Sequence, residues 1–247
     1  MTSTGEARSA LSPIRQIAAH ELVVDQLRRA LELGRFRPGD LLPTERELSE
    51  MLQVSRTVVR AAVAVLEREE LLGVRRGRGG GFSVRAPKYN PAEARRLMRE
   101  NKVALRDAFD FRIVVETGAT RLAALRRRAS DLKKLRSMLE GMDEVLRAAM
   151  QDQSASRATE FQTLDSAFHL GIAESSRNEY LLDAVAEARR RMWLPVGAIF
   201  GRVEANANDH HQAILDAIEN RDPETAAARM EEHILGTRNT VESWLKR

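Results

Sequence analysis

Three histidines and one aspartate in the C-terminal half have the types and spacing that metal chemistry needs. Asp165 and His169 stand four apart in LDSAFHLGIAE, so on a helix both project from one face. His211 lies in DHHQAILDAI ahead of Ile214, Leu215 and Ile218, and His233 in MEEHIL has Met230, Ile234 and Thr237 as helical neighbours. Each side chain therefore borders an apolar packing stripe. Three imidazoles and a carboxylate from three inward faces could hold one divalent ion and leave positions open for water or ligand oxygens. The mixed nitrogen and oxygen donors suit Zn, Ni, Mn or Fe. Hydrogen-bonded boundary histidines with no metal are the commoner reading of such spacing. His210 points about 100° away from His211 on a helix and is expected at the surface or behind the ligands. Arg112 and Glu116, four apart in FRIVVETGATRLAA, border a further apolar face. They read either as an intrahelical ion pair worth roughly a few tenths of a kcal/mol or, for Arg112, as a fork for a ligand carboxylate.

A second kind of chemistry is written between Pro38 and Val84. A helix is expected over Glu45–Leu52, with Thr44 as its N-cap and Glu47 completing a capping box. Gln53-Val54-Ser55 forms the turn, and Ser55 caps a second helix over Arg56–Glu69. Val59, Ala62, Val63 and Leu66 recur at helical spacing and face inward, leaving Arg56, Thr57 and Arg60 on the other side near the N-terminal end. A helix buried on one side that presents Arg, Thr and Arg from its first turns is suited to a DNA major groove. Two short strands follow, Leu72–Arg75 and Phe82–Val84, joined by Arg76-Gly77-Arg78-Gly79-Gly80-Gly81. The glycines allow close backbone approach and the arginines Arg76 and Arg78 supply charge, a combination suited to phosphate or minor-groove contact. No GK[ST] follows and no strand leads into a helix there, which excludes a P-loop.

The charge distribution agrees. The formal net charge is +4; residues 1–90 carry 15 Lys/Arg against 11 Asp/Glu, while residues 91–247 carry 25 of each. Leu71 to Lys88 contains Arg75, Arg76, Arg78, Arg85 and Lys88 and no acidic residue. The whole surplus lies beside the helix-turn-helix, which is the footprint of phosphate contact. Cysteine is absent, which excludes disulfides and thiolate metal sites and suits a reducing cytoplasm. No apolar run approaches the ~18 residues that span a bilayer, and the N-terminus lacks a signal-peptide core. The expected location is cytoplasmic, with no membrane partner.

The elements that must position these residues are mostly helical, as 7 Pro and 14 Gly in 247 residues suggest. Residues 1–12 read as a flexible tail, 13–86 as a winged helix-turn-helix domain, 87–91 as a linker and 92–247 as a helical effector-binding and dimerisation domain. The first helix is expected from Ser12 or Pro13 to Gly34, with Ile17, Leu22, Val23, Leu27 and Leu31 on its packing stripe. After the linker, apolar residues recur at helical spacing in seven blocks: Pro91–Asn101, Leu105–Arg127, Ser130–Asp152, Arg157–Ser175, Glu179–Phe200, Glu204–Asn220 and Pro223–Trp244. Ser130 is the expected cap of the third, Ser176-Arg177-Asn178 a stop and recapping turn, and Asp222-Pro223 an N-cap followed by proline at N1. Pro195 should kink or divide the fifth.

These motifs resemble two known domains in the expected order. PGDLLPTERELSEMLQVSRTVVRAAVAVLEREELL with VRRGRGGGFSV resembles the GntR-type winged-helix repressors. FRIVVE, LDSAFHLGIAESSRNEYLL and HHQAILDAIENRDPETAAARMEEHI resemble the FCD effector domain of that family's FadR-like branch. The resemblance implies a mainly α fold, a winged helix-turn-helix followed by an all-helical FCD bundle of six to seven helices. It implies DNA contacts by Arg46, Ser55, Arg56, Thr57, Arg60 and Gly77; Ala61 stands where the family usually has Glu. It also implies metal ligation by Asp165, His169, His211 and His233, and contact between Arg112 and an effector carboxylate. The expected function is a homodimeric regulator, a repressor in type, that binds a pseudo-palindromic double-stranded operator and responds to a small organic acid. One alternative is the same regulator responding to an acyl-CoA or lipid around a structural metal. A remoter one is a metal hydrolase fused to a DNA-binding head, with Glu174 or Glu204 as base.

Overall fold

A computed structural model describes residues 18–32, 36, 39–75, 81–85, 91–151, 155–191 and 208–246. The head begins with α1 (Ala19–Glu32), followed by α2 (Glu45–Leu52) and α3 (Arg56–Arg68), then β1 (Leu72–Arg75) and β2 (Gly81–Val84). Thr44 caps α2 as its spacing predicts: its hydroxyl accepts from the Glu47 N–H at 3.3 Å, and the Glu47 carboxylate accepts from the Thr44 N–H at 2.8 Å. Gln53 turns the chain in the left-handed region, with φ 53°. Ser55 then accepts from the Val58 N–H and starts α3.

Val59, Ala62, Val63 and Leu66 are all buried, packed with Val23, Val24, Leu27, Leu48, Leu72 and Val84. Here the stripe of α1 differs from expectation. Leu22 is 55% exposed and Val24 takes its place in the core, because Val24, Leu27 and Leu31 share a face with Val23 whereas Leu22 falls outside it. Ile17, Gly34 and the start expected at Ser12 or Pro13 lie outside the described residues. The wing pairs in register Leu72 with Val84 and Arg75 with Gly81, one residue longer at β2 than its sequence suggests. Leu41 adds an antiparallel bridge to Ser83, which no periodicity announced. Gly39, at φ +95°, makes the preceding turn.

In the helical half, seven helices are described after the wing: α4 (Pro91–Glu100), α5 (Lys102–Arg126), α6 (Ala129–Ala149), α7 (Ala155–Ser175), α8 (Glu179–Arg191), α9 (Asp209–Glu219) and α10 (Pro223–Lys246). Pro91, placed at the end of the expected linker, occupies the first position of α4, where a missing N–H costs nothing. The cap of α6 is Arg128 rather than Ser130; the Arg128 N–H donates to the Asp131 carboxylate at 2.8 Å. The other breaks follow the sequence: Arg177 is left-handed at φ 53°, Asn178 accepts from Leu181 N–H, and Asp222 accepts from Thr225 N–H. Pro195, residues 192–207 and the start expected at Glu204 lie outside the described residues.

Helix α5 organises this half, packing against α4, α7, α8, α9 and α10. At its C-terminal end Arg126 donates to the Ser176 carbonyl and Arg127 to that of Ile218, tying α5 to the ends of α7 and α9. Phe109, Leu135, Met142, Phe168, Ile172, Ile214, Met230 and Ile234 form the main core. A smaller cluster, Val115, Ala119, Leu170, Ala173, Val185 and Ala188, joins α5, α7 and α8. Gly171 permits the close α6–α7 approach, since a Cβ there would stand 3.0 Å from a Leu135 methyl. The Thr44→Ala substitution should lower head stability by about 1 kcal/mol, read as a fall in the urea midpoint with the same slope; an unchanged midpoint would show the capping box to be idle.

Candidate metal centre

Asp165 and His169 come from the middle of α7, His211 from the first turn of α9 and His233 from the middle of α10. Their donor atoms all lie within 4.8 Å of one another. The point of convergence is one carboxylate oxygen. Asp165 Oδ1 lies 2.9 Å from His211 Nε2, 3.6 Å from His169 Nε2 and 4.0 Å from His233 Nε2. Donors bound at ~2.1 Å to a common ion are separated by roughly 3–4 Å, so this set is nearly gathered.

The outer nitrogens decide what the inner ones can do. His169 Nδ1 is hydrogen-bonded to Glu116 Oε2. A carboxylate can only accept here, so Nδ1 carries a proton, and a neutral ring would be left with a lone pair on Nε2. That buried Nε2 has no hydrogen-bond partner among the described residues, a condition costing about 1–3 kcal/mol if nothing fills it. His211 Nδ1 lies 3.0 Å from Asn208 Oδ1. Asn208 is oriented by its amide nitrogen, which donates to the Leu139 carbonyl at 3.3 Å and the Asp143 carboxylate at 2.7 Å. His211 Nδ1 therefore donates, and its Nε2 stands 2.9 Å from Asp165 Oδ1, donating to it when the ring is protonated and offering it a lone pair when the ring is neutral. In the neutral form that burial favours the two atoms are both acceptors, and a metal ion between them would satisfy both. The donor set fits a divalent metal, held by Asp165 Oδ1 and the three Nε2 atoms, with Glu116 and Asn208 fixing two of the rings.

The electrostatics favour the binding forms of Asp165, His211 and His233. Burial pushes the His211 imidazole below its usual range, against the opposing pull of Asp165. Burial also drives His233 well below it, helped by His211 and His169. For Asp165, burial acts to raise the carboxyl, but Arg189, His169 and His211 outweigh it and hold it well below the carboxylate range. Glu116 behaves alike: burial opposes ionisation, and Arg112, His169 and Arg189 overcome it.

Arg112 is buried, and its Nε donates to Glu116 Oε1 at 2.6 Å. The intrahelical pair expected from the spacing exists, but in a dry interior rather than on a surface. Arg189 of α8 was not singled out from the sequence. It sits in Arg189-Arg190-Arg191, which reads as a solvated run; the available signal was its position four after Val185 on a buried face. Its side chain is 8% exposed. Nη2 donates to Asp165 Oδ2 and to Ser166 Oγ, whereas Nε and Nη1 are buried with no hydrogen-bond partner among the described residues. His210 is exposed, as expected.

In the head, Ser55, Arg56, Thr57 and Arg60 at the start of α3 and Arg46 in the first turn of α2 are all exposed. Arg46 pairs with Glu50 at 2.9 Å. Arg60 reaches across to α2 and donates twice to the Glu45 carboxylate, at 2.7 and 2.9 Å. Arg76, Gly77 and Arg78 lie outside the described residues. No helix among the described residues is long and apolar enough to cross a membrane.

Glu116→Gln and Asn208→Ala should each weaken binding of a divalent transition metal about 10–100-fold, measured by chelator competition. His169→Ala and His233→Ala should abolish stoichiometric metal by elemental analysis. Retention of a full equivalent in both would show that the four residues are not the ligands.

Known proteins match both halves. The FCD domain family matches residues 107–236, and the family described as bacterial regulatory proteins, gntR family, matches residues 19–81. A Uxu operon regulator of Haemophilus influenzae is 31% identical over 218 residues, covering 84% of this chain and 76% of that protein. A putative L-lactate dehydrogenase operon regulatory protein of Escherichia coli K12 is 29% identical over 234 residues, covering 89% of this chain and 84% of that protein. The solved structure of E. coli McbR/YncC superposes with a TM-score of 0.53 at 20% identity, covering 92% of this chain and 99% of that chain, a likeness of fold. These families and relatives are transcriptional regulators rather than enzymes, which removes the hydrolase alternative. The chain belongs to the GntR family of bacterial transcriptional regulators, with a helix-turn-helix head and a C-terminal FCD effector domain.

Proposed function

We propose that the chain is a homodimeric repressor of the FadR-like branch whose grip on a pseudo-palindromic operator is set by a small organic acid at a metal-containing pocket. The reading is supported by the convergence of the donor atoms of Asp165, His169, His211 and His233 within 4.8 Å of one another. Asp165, His169, His211 and His233 would hold a divalent transition metal, Zn, Ni, Mn or Fe by donor type. When bound, the ion supplies Lewis-acid positions for the oxygens of an effector.

The effector is an oxyanion of small size. Two guanidiniums border the four ligands. Arg189 has two buried nitrogens with no hydrogen-bond partner among the described residues. Arg112 lies close enough to His233 for its charge to help depress that imidazole. Each arginine is already tied to a carboxylate, Arg112 to Glu116 and Arg189 to Asp165. A carboxylate effector would share or replace those partners. An acyl chain would have to displace buried charged groups, which disfavours the acyl-CoA alternative. The relative named for an L-lactate dehydrogenase operon belongs to the metabolism of a small hydroxy acid, consistent in size.

In the head, Arg56, Thr57 and Arg60 would enter the major groove, Arg46 and the Ser55 region would meet phosphates, and Arg76, Gly77 and Arg78 would reach the flanking minor groove. Glu45 and Glu50 hold Arg60 and Arg46 in the free protein; both arginines are exposed, and such pairs would exchange for phosphate. The effector acts only through its different affinity for the two head spacings, and a coupling of ~1–3 kcal/mol gives roughly 5–150-fold in operator affinity.

Operator binding by Arg56→Ala and Arg60→Ala should fall, with the salt slope of log affinity reduced by about 1 for each phosphate that is no longer neutralised. Wild-type affinity in both would refute the groove assignment. Metal-loaded protein titrated with a panel of small carboxylates should lose operator affinity for at least one member. A flat response across the panel sinks the effector model.

A further inference from the structure

A positive charge bonded to a metal ligand works against the metal, and Arg189 places one there. Its Nη2 donates to Asp165 Oδ2, and Ser166 Oγ accepts from the same nitrogen at 3.1 Å. Its Nη1 stands 3.9 Å from Glu116 Oε2, the oxygen hydrogen-bonded to His169. The guanidinium thus lies between the carboxylate that would bind the ion and the carboxylate that orients one of the imidazoles. It comes from α8, which contributes none of the four ligands. An arginine that only balances a carboxylate commonly does so as a fork, with two parallel bonds. Here a single nitrogen serves Asp165, while Nε and Nη1 have no hydrogen-bond partner among the described residues. The two oxygens of Asp165 are therefore divided: Oδ2 takes the guanidinium, and Oδ1 faces the three Nε2 atoms.

That division has a consequence for coordination. A carboxylate binds a metal through one oxygen or through both. Chelation by Asp165 would draw the ion toward Oδ2 and so toward the guanidinium that already holds that oxygen. Like charges so close in a dry interior repel strongly. Oδ1 is left as the ligand atom, aimed where the imidazoles converge. The same cation offsets the charge of the carboxylate and weakens its pull on an ion. Arg189 therefore lowers metal affinity and keeps open a coordination position that an effector oxygen needs.

We infer that Arg189 is a positioning residue that holds Asp165 to ligation through one oxygen and so reserves a place on the metal for the effector. This rests on the metal-containing pocket proposed above. It also gives the effector a way to act. A carboxylate that draws the guanidinium onto itself frees Oδ2 to join the ion, so filling the pocket alters the contact between α7 and α8.

The test uses the full chain and metal ions alone. Wild type, R189M, R189K and S166A are loaded with cobalt(II) for visible absorption and with zinc for chelator competition, in mildly alkaline buffer. Cobalt(II) absorbs more weakly as its coordination number rises, so R189M, with Asp165 free to chelate, should show a weaker band. Loss of an ordinary outer partner weakens metal binding; loss of a competing cation should instead tighten zinc about tenfold. R189K keeps a charged donor and should stay close to wild type in both readings. S166A removes only the hydroxyl that steadies Nη2 and should move both readings in the R189M direction, by less. Tighter zinc with an unchanged cobalt spectrum overturns the one-oxygen assignment. Weaker zinc with an unchanged spectrum makes Arg189 merely structural and overturns the role. An R189M protein that does not fold, together with an S166A protein identical to wild type, overturns it as well. A wild-type chain that takes up neither metal overturns the pocket and this inference with it.

Discussion

A carboxylate oxygen and an imidazole nitrogen cannot both present lone pairs to each other at 2.9 Å in a dry interior. A proton on the ring or a metal ion between the two would resolve the conflict, and the neighbouring helices constrain both groups. Asn208 is locked by Leu139 and Asp143 so that His211 must keep its proton on Nδ1. Glu116 does the same for His169 from another helix. Burial keeps His211 and His233 neutral, and Arg189 keeps Asp165 ionised despite burial. A buried charge network of this kind is a poor source of stability, since desolvation consumes most of what the ion pairs return.

Helix α5 is where this network meets everything else. It packs on each helix that contributes a ligand and on α8, which contributes Arg189. Its buried face supplies Arg112 and Glu116, and its C-terminal end is fixed by Arg126 and Arg127 to the carbonyls that follow α7 and end α9. The head is built on different physics. Its core is small and apolar, and its exposed Arg46 and Arg60 pair with the exposed Glu50 and the half-buried Glu45.

Much of this was legible in the residues themselves. Helix boundaries came from local rules that act within a few residues: the Thr44 and Glu47 capping box, the Ser55 cap, the reversal at Arg177 and the Asp222-Pro223 start. The inward set Val59, Ala62, Val63 and Leu66 followed from helical period alone. The four candidate ligands could be named because each borders an apolar stripe, and the charge surplus of the head because it lies in one continuous stretch. Where local rules competed, they misled: Leu22 fits a helical stripe as well as Val24 does, and only the packing of α1 on α3 selects between them. The Leu41–Ser83 bridge was invisible because a single residue pair leaves no period to read.

The sequence by itself determined which segments are helical, which side of each helix is apolar, and which residue types are offered toward the interior, because these depend on neighbours three or four positions away. It did not determine how imidazoles 22 to 64 positions apart along the chain are aimed. Tertiary packing decided that Asn208 and Glu116 fix the ring tautomers, that the pair Arg112–Glu116 lies dry rather than wet, and that an arginine from a seemingly solvated run points inward at Asp165. The physical reason is that desolvation and hydrogen-bond direction are properties of the space between helices.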